Sequence, residues 1–194
     1  MPRLSPTQRM TQRMTQRMAQ QLDRLEAESD IRRLLARYMH LCDQPCNDER
    51  FPQLGDLFTA DAIWEGVGPH YANKFGRKVG RDAVVAHVAA YLAPSTHFKF
   101  NIHLLTSEAI RVDEVSDKNV AYGQWIMQQV STYEDDGTEL ILARLNIEFR
   151  RPDGAWQMHH FCTERLMACP VADARIAQLL SIPPLADPTG AHAS

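Results

Sequence analysis

From Leu22 onward the apolar positions Leu22, Leu25, Ile31, Leu34, Leu35, Tyr38 and Leu41 recur at spacings of three and four. This spacing predicts an amphipathic helix with one face on a core. Just before it, "TQRMTQRMTQRM" (7–18) repeats every four residues. On a helix of 3.6 residues per turn that period drifts by about 40° per repeat. Met10, Met14, Met18 and Leu22 would then wind slowly around the axis as an apolar stripe. Methionine is an adaptable contact, so one reading is a docking arm. Terminal segments without a packing partner fray, and a frayed extension is the preferred reading. "PQLGDLFTADAIWEG" reads as a short helix through Phe58 and then a strand, "AIWEG", ended by glycine. "GVGPHYANKFGRKVG", with four glycines and a proline, reads as a loop. "RDAVVAHVAAYL" is the second clear helix, with Asp82 in its first turn and Pro94 beyond its end.

The period then changes to two. In "HFKFNIHLLTSEAIRVDEV" His97, Lys99, Asn101 and His103 alternate with Phe98, Phe100, Ile102 and Leu104. "NVAYGQWIMQQVSTYE", "ELILARLNIEFRR" and "AWQMHHFCTERLMA" follow as strands, separated by "DDG" and "PDG" turns. Long strands joined by short turns predict an antiparallel meander. With the helices first and the sheet afterwards, the fold class is α+β. The remainder, "CPVADARIAQLLSIPPLADPTGAHAS", holds one short helical stretch and a Pro/Ala-rich tail, expected to be poorly ordered or wrapped on a neighbour.

Composition narrows the function. Apolar residues make up 44% of the 194, charged residues 23%, and the net charge is −3. Without a basic surface, nucleic acid is not an expected partner. No apolar run approaches the roughly 20 residues of a membrane span, and the N-terminus has no signal-like apolar core. Four cysteines, Cys42, Cys46, Cys162 and Cys169, are too few for a disulfide scaffold, so free thiols in a reducing cytoplasm are expected.

Candidate chemistry begins at "RYMHLCDQP", which ends an apolar helix with Tyr38, His40 and Asp43. A carboxylate is electrostatically poor at a helix C-terminus, where the backbone carries partial negative charge. Tyr38 and Asp43 lie about 140° apart on a regular helix. Asp43 turns inward only if the helix loosens ahead of Pro45. Histidine would be its natural partner, because a carboxylate on one ring nitrogen leaves the other as a base near neutral pH. The alternating strands offer polar rows, Asn101 with His103 on one and Arg144, Asn146 and Glu148 on another. Either a wet cavity or the solvated outer face of a sheet explains each row taken alone. No H-x-H or H-x-x-E-H spacing occurs, and Cys42–Cys46 alone is a weak zinc signal, so no metal is expected. Neither G-x-G-x-x-G nor a Walker loop occurs, so no nucleotide cofactor is expected.

The order of "RYMHLCD", "LGDLFTADAIWEG", "GRDAVVAHVAAYL", "IHLLTSEAIRVDE" and "RRPDGAWQMHHF" resembles the SnoaL-like branch of the nuclear transport factor 2-like (cystatin-like) superfamily, over roughly residues 20–165. The resemblance implies a cone: a strongly curved antiparallel sheet wrapped around N-terminal helices and enclosing a mostly apolar pocket. Residues 1–20 would be an extension, 21–168 the domain and 169–194 a tail. By position, Asp43 and His103 match the aspartate–histidine pair of dehydratase and dehydrochlorinase members. Tyr38 matches a pocket tyrosine, Arg144 a pocket arginine, Trp64 an aromatic cavity wall and His160 a last-strand histidine. Asn101, Asn146 and Trp125 complete the substrate-contacting candidates. The expected chemistry is cofactor-independent lyase, isomerase or cyclase action on a small, largely apolar molecule, with His103 as base, Tyr38 as donor and Arg144 stabilising negative charge. The alternative is a non-catalytic subunit, such as the β subunit of a ring-hydroxylating dioxygenase, since this fold serves both. The outer face of an open sheet implies a homodimer or homotrimer. The connection "DQPCNDERFPQ" is longer than usual in the family, and His70 and Tyr71 are candidates for a lid.

Overall fold

The computed structural model describes residues 5–43, 50–92, 98–113, 118–134 and 137–171. His97, Pro94, Cys46, most of the "DDG" turn and the tail from residue 172 lie outside them. Helix α1 (Pro6–Asp43) is continuous over 38 residues. Its second half docks through Ala27, Ile31, Leu35, Tyr38, Met39 and Cys42, all buried. Its first half is helical to Pro6 rather than frayed. There the stripe Met10, Met14, Met18, Leu22 and Leu25 faces outward, 56–64% exposed.

Helix α2 (Arg50–Gly55) stops before Phe58, which already begins strand β1 (Phe58–Val67) and is fully buried. The segment expected to be a loop forms helix α3 (Gly68–Phe75) and strand β2 (Arg77–Val79). Glycine makes this return possible. A Cβ on Gly66 would lie 2.8 Å from the Tyr71 carbonyl oxygen, closer than atoms pack. Pro69 sits in the first turn of α3, where its missing N–H costs nothing. Helix α4 (Arg81–Ala89) follows and packs on β1.

Strands β3 (Phe98–Val112), β4 (Val120–Tyr133), β5 (Thr138–Arg150) and β6 (Gln157–Pro170) form the antiparallel meander. The sheet order is β2-β1-β6-β5-β4-β3, with β1 parallel to β6. Alternate residues of β5, Ile141, Ala143, Leu145, Ile147 and Phe149, are buried, and they define the inner face under α1, α3 and α4. Of the two readings open for the polar row of β3, a wet cavity or a solvated outer face, the structure has the first. The polar residues Asn101 and His103 face in, whereas Phe100 (51% exposed), Ile102 and Leu104 face out. A bulge then sets Ser107 and Glu108 against Trp125, with Ser107 at φ 51°. Beyond it Ile110 and Val112 pack on the core.

Candidate active site

The inner face and the helices enclose a cavity of about 140 Å³. The last turns of α1 supply Tyr38, Met39 and Cys42, β1 supplies Trp64, and β3 supplies Asn101 and His103. Asp43, the last residue of α1, reaches β3. Its Oδ1 lies 2.5 Å from His103 Nδ1, and its Oδ2 accepts the His103 backbone N–H at 3.2 Å. No loosening of the helix was needed, because α1 lies against β3 along its docked half. Both side chains are largely buried, His103 11% and Asp43 20% exposed. An ionised carboxylate can only accept, so neutral His103 carries its proton on Nδ1 and keeps a lone pair on Nε2. His103 lines the cavity and, among the described residues, Nε2 has no hydrogen-bond partner.

Asn101, two residues earlier on the same face, accepts from Gln129 Nε2 at 3.1 Å and from Ser131 Oγ at 2.8 Å. Gln129 also lines the cavity, directly across the β3–β4 ladder from His103. Tyr38 is held edge-on against Phe58 and tilted against Phe161, with ring centroids 5.8 and 5.3 Å apart. Burial pushes its phenol well above the ordinary range, and the neighbouring Cys42 adds to this. Tyr38 is therefore a proton-bearing donor. Burial pushes the Cys42 thiol up to about 12, which makes it an inert wall. Trp64 stacks on Phe161 at 5.8 Å with 5° between the planes. The Trp64 indole N–H is buried without an acceptor at hydrogen-bond distance, though it lies near enough to the Tyr38 oxygen to favour its ionisation slightly.

Four of the candidates lie away from this cavity. Arg144 projects from the outer face and pairs with Glu164 at 2.9 Å. Asn146, also outside, accepts from Gln124 at 2.8 Å. His160 Nε2 meets Glu65 at 2.7 Å on the same outer side. Register explains all three. His103 pairs with Gln129 and Gln129 with Ile141, whereas Arg144 pairs with Ile126 and Ile126 with Thr106. Directly opposed residues share a face, so Arg144 and His103 stand on opposite sides of the sheet. Trp125 is on the inner face, 2% exposed, but belongs to the core and not to the cavity lining, its indole N–H 3.3 Å from Glu108. Arg144 therefore cannot reach a ligand that touches the His103 imidazole.

The cavity also holds residues that the sequence reading did not single out. His87 and Val88 come from α4, and Tyr91 from the turn after it. Val84, His87, Val88 and Tyr91 sit at helical spacing, so a histidine on that apolar stripe was the available signal. Tyr71, a lid candidate, is a buried wall residue, and its neighbour His70 is exposed. Among the described residues no group of three or more His, Cys, Asp or Glu is arranged to hold a metal ion, and no helix is long and apolar enough to cross a membrane.

Solved structures share this architecture. Hexachlorocyclohexane dehydrochlorinase LinA-type3 from Novosphingobium barchaimii LL02 superposes with a TM-score of 0.63 at 20% identity, covering 79% of this chain and 95% of its own. A Novosphingobium aromaticivorans protein proposed to be a scytalone dehydratase gives 0.61 at 16% identity, covering 77% and 91%. ActVI-ORFA from Streptomyces coelicolor gives 0.55 at 12% identity, covering 73% and 98%. No curated protein matches the sequence. At these identities the likeness carries the fold. The sequence itself matches the SnoaL-like domain over residues 23–161, the region that supplies α1 from its docked half onward, the cavity lining except Thr163, and the Asp43–His103 pair. The chain is a member of the SnoaL-like domain family.

Proposed function

We propose that the protein is a cofactor-independent lyase or isomerase in which His103, oriented by Asp43, removes a proton from carbon in a small molecule held in the cavity. The observation that carries this reading is the Asp43–His103 contact, with both carboxylate oxygens committed to one histidine at the cavity wall. That arrangement fixes the tautomer and stabilises the imidazolium formed when Nε2 takes the proton. Tyr38 is the donor for a carbonyl or leaving oxygen. The dehydrochlorinase among the similar structures, an eliminating enzyme by its name, supports the same class. A non-catalytic subunit leaves the placement of this largely buried pair at a cavity wall without a purpose. Assembly of identical subunits through the outer face belongs to the same proposal, because Phe100, Leu104 and Met167 are each about half exposed there.

Solvent exchange tests the base directly, without knowledge of the natural substrate. Incorporation of deuterium from D₂O beside the carbonyl of cyclohexanone is followed by NMR. The protein should accelerate it over buffer. His103→Ala should remove about 10²–10⁴ of that acceleration, the range a positioned base supplies, and Asp43→Asn a smaller share. Exchange no faster than in buffer, or undiminished in both variants, defeats the reading.

A further inference from the structure

His87 lies at the other end of the cavity from the dyad. Helix α4 holds it over β1, where its ring centroid is 4.5 Å from Trp64, while His103 stands on β3, at the far edge of the sheet. Phe75 and Tyr91 also flank the imidazole, with ring centroids at 5.9 and 5.6 Å. Among the described residues no hydrogen bond or ion pair reaches either ring nitrogen. The ring is half-buried and lines the cavity, and among the described residues no protein group uses its hydrogen-bonding capacity. A partly buried polar group without a protein partner in an aromatic wall is open to a bond from a ligand or from water.

We propose that His87 is the specificity-determining anchor of the cavity, hydrogen-bonding an oxygen substituent (hydroxyl or carbonyl) on a ring-sized ligand. This rests on the reading of the cavity as the substrate site and adds the chemical class of the substrate: an oxygenated ring rather than a bare or halogenated hydrocarbon. The cavity's volume of about 140 Å³ is near that of cavities that hold a benzene ring. Trp64, Phe75 and Tyr91 present faces and edges to such a ring. The charge state agrees. Burial, and secondarily the ammonium of Lys78, hold the imidazole below its ordinary value, so at neutral pH it offers one N–H and one lone pair, a match for a hydroxyl. Sites that hydrogen-bond a substrate oxygen reject analogues lacking it, because their polar groups are then left unpaired.

Phenol and toluene are the probes, since they differ by O–H against CH₃ at nearly equal size. Toluene is the more hydrophobic, so an apolar cavity with no bond to offer takes toluene in preference. Binding to the full chain is followed by NMR titration, with the imidazole ¹⁵N signals of His87 as the local readout. Phenol should bind at least tenfold tighter than toluene and move the His87 signals. His87→Leu should erase or invert the preference, and His87→Gln, which keeps a polar group in similar space, should retain part of it and guards against a folding defect in the leucine variant. His103→Ala should leave the preference intact, which separates this anchor from the catalytic reading. A preference for toluene in the unaltered protein, a phenol preference that survives His87→Leu, or one that vanishes only in His103→Ala overturns the proposal.

Discussion

At the residue scale, environment divides chemically similar side chains into different roles. His103 and His160 both meet a carboxylate, at 2.5 and 2.7 Å, yet only His103 does so beside an enclosed cavity. Cys42 and Cys169 make a second such pair. Burial pushes Cys42 up to about 12, while Cys169 is exposed. The thiolate is the reactive form, so Cys42 is unreactive at neutral pH despite lining the cavity. Iodoacetamide at pH 7.5 should alkylate Cys169 in the folded protein and reach Cys42 only in denaturant, as read by peptide mass mapping. Fast native labelling of Cys42 would contradict its burial.

At the scale of elements, the site depends on strands fitting closely around large side chains. A Cβ on Gly123 would lie 2.2 Å from the Trp125 ring and 3.2 Å from Phe149. The indole is rigid and fully packed, so Gly123→Ala should cost about 1–3 kcal/mol as overpacking. A thermal melt checks this, and an unchanged midpoint would mean that the ring has room to move. Element types were largely legible in the sequence: the helical period from Leu22 to Leu41 and the meander of four strands follow from spacing alone. Asp43 and His103 were legible only through family position, and their contact is borne by packing between α1 and β3. The face each strand turns inward was not legible. Polar alternation is symmetric to a one-residue shift, and β3 turns its polar row in while β5 turns its polar row out. That choice is made by cross-strand register and by the bulge at Ser107, and neither leaves a hydrophobic signature. Arg144 was misplaced for this reason. Tyr71 and Phe75 were read as loop because glycines bracket them, yet the same glycines fold α3 back onto β1.

At the scale of the whole molecule, two surfaces lack cover among the described residues. On the outer face Phe100 and Leu104 share an edge strand with exposed backbone, where association with an identical subunit would bury them. Leu104→Glu should weaken self-association at least tenfold, seen as a lighter species in sedimentation velocity. Identical sedimentation of variant and parent would remove this face from the assembly. The other uncovered surface is the outward half of α1, and its continuity has a mechanical consequence. A helix of this length is about 57 Å long at 1.5 Å per residue. Its inner half is pinned by buried side chains from Ala27 to Cys42, and its final residue is the carboxylate that holds the imidazole. A rod clamped over that much of its length cannot rock without opening a close-packed core, so the carboxylate keeps its place whatever the exposed methionines touch.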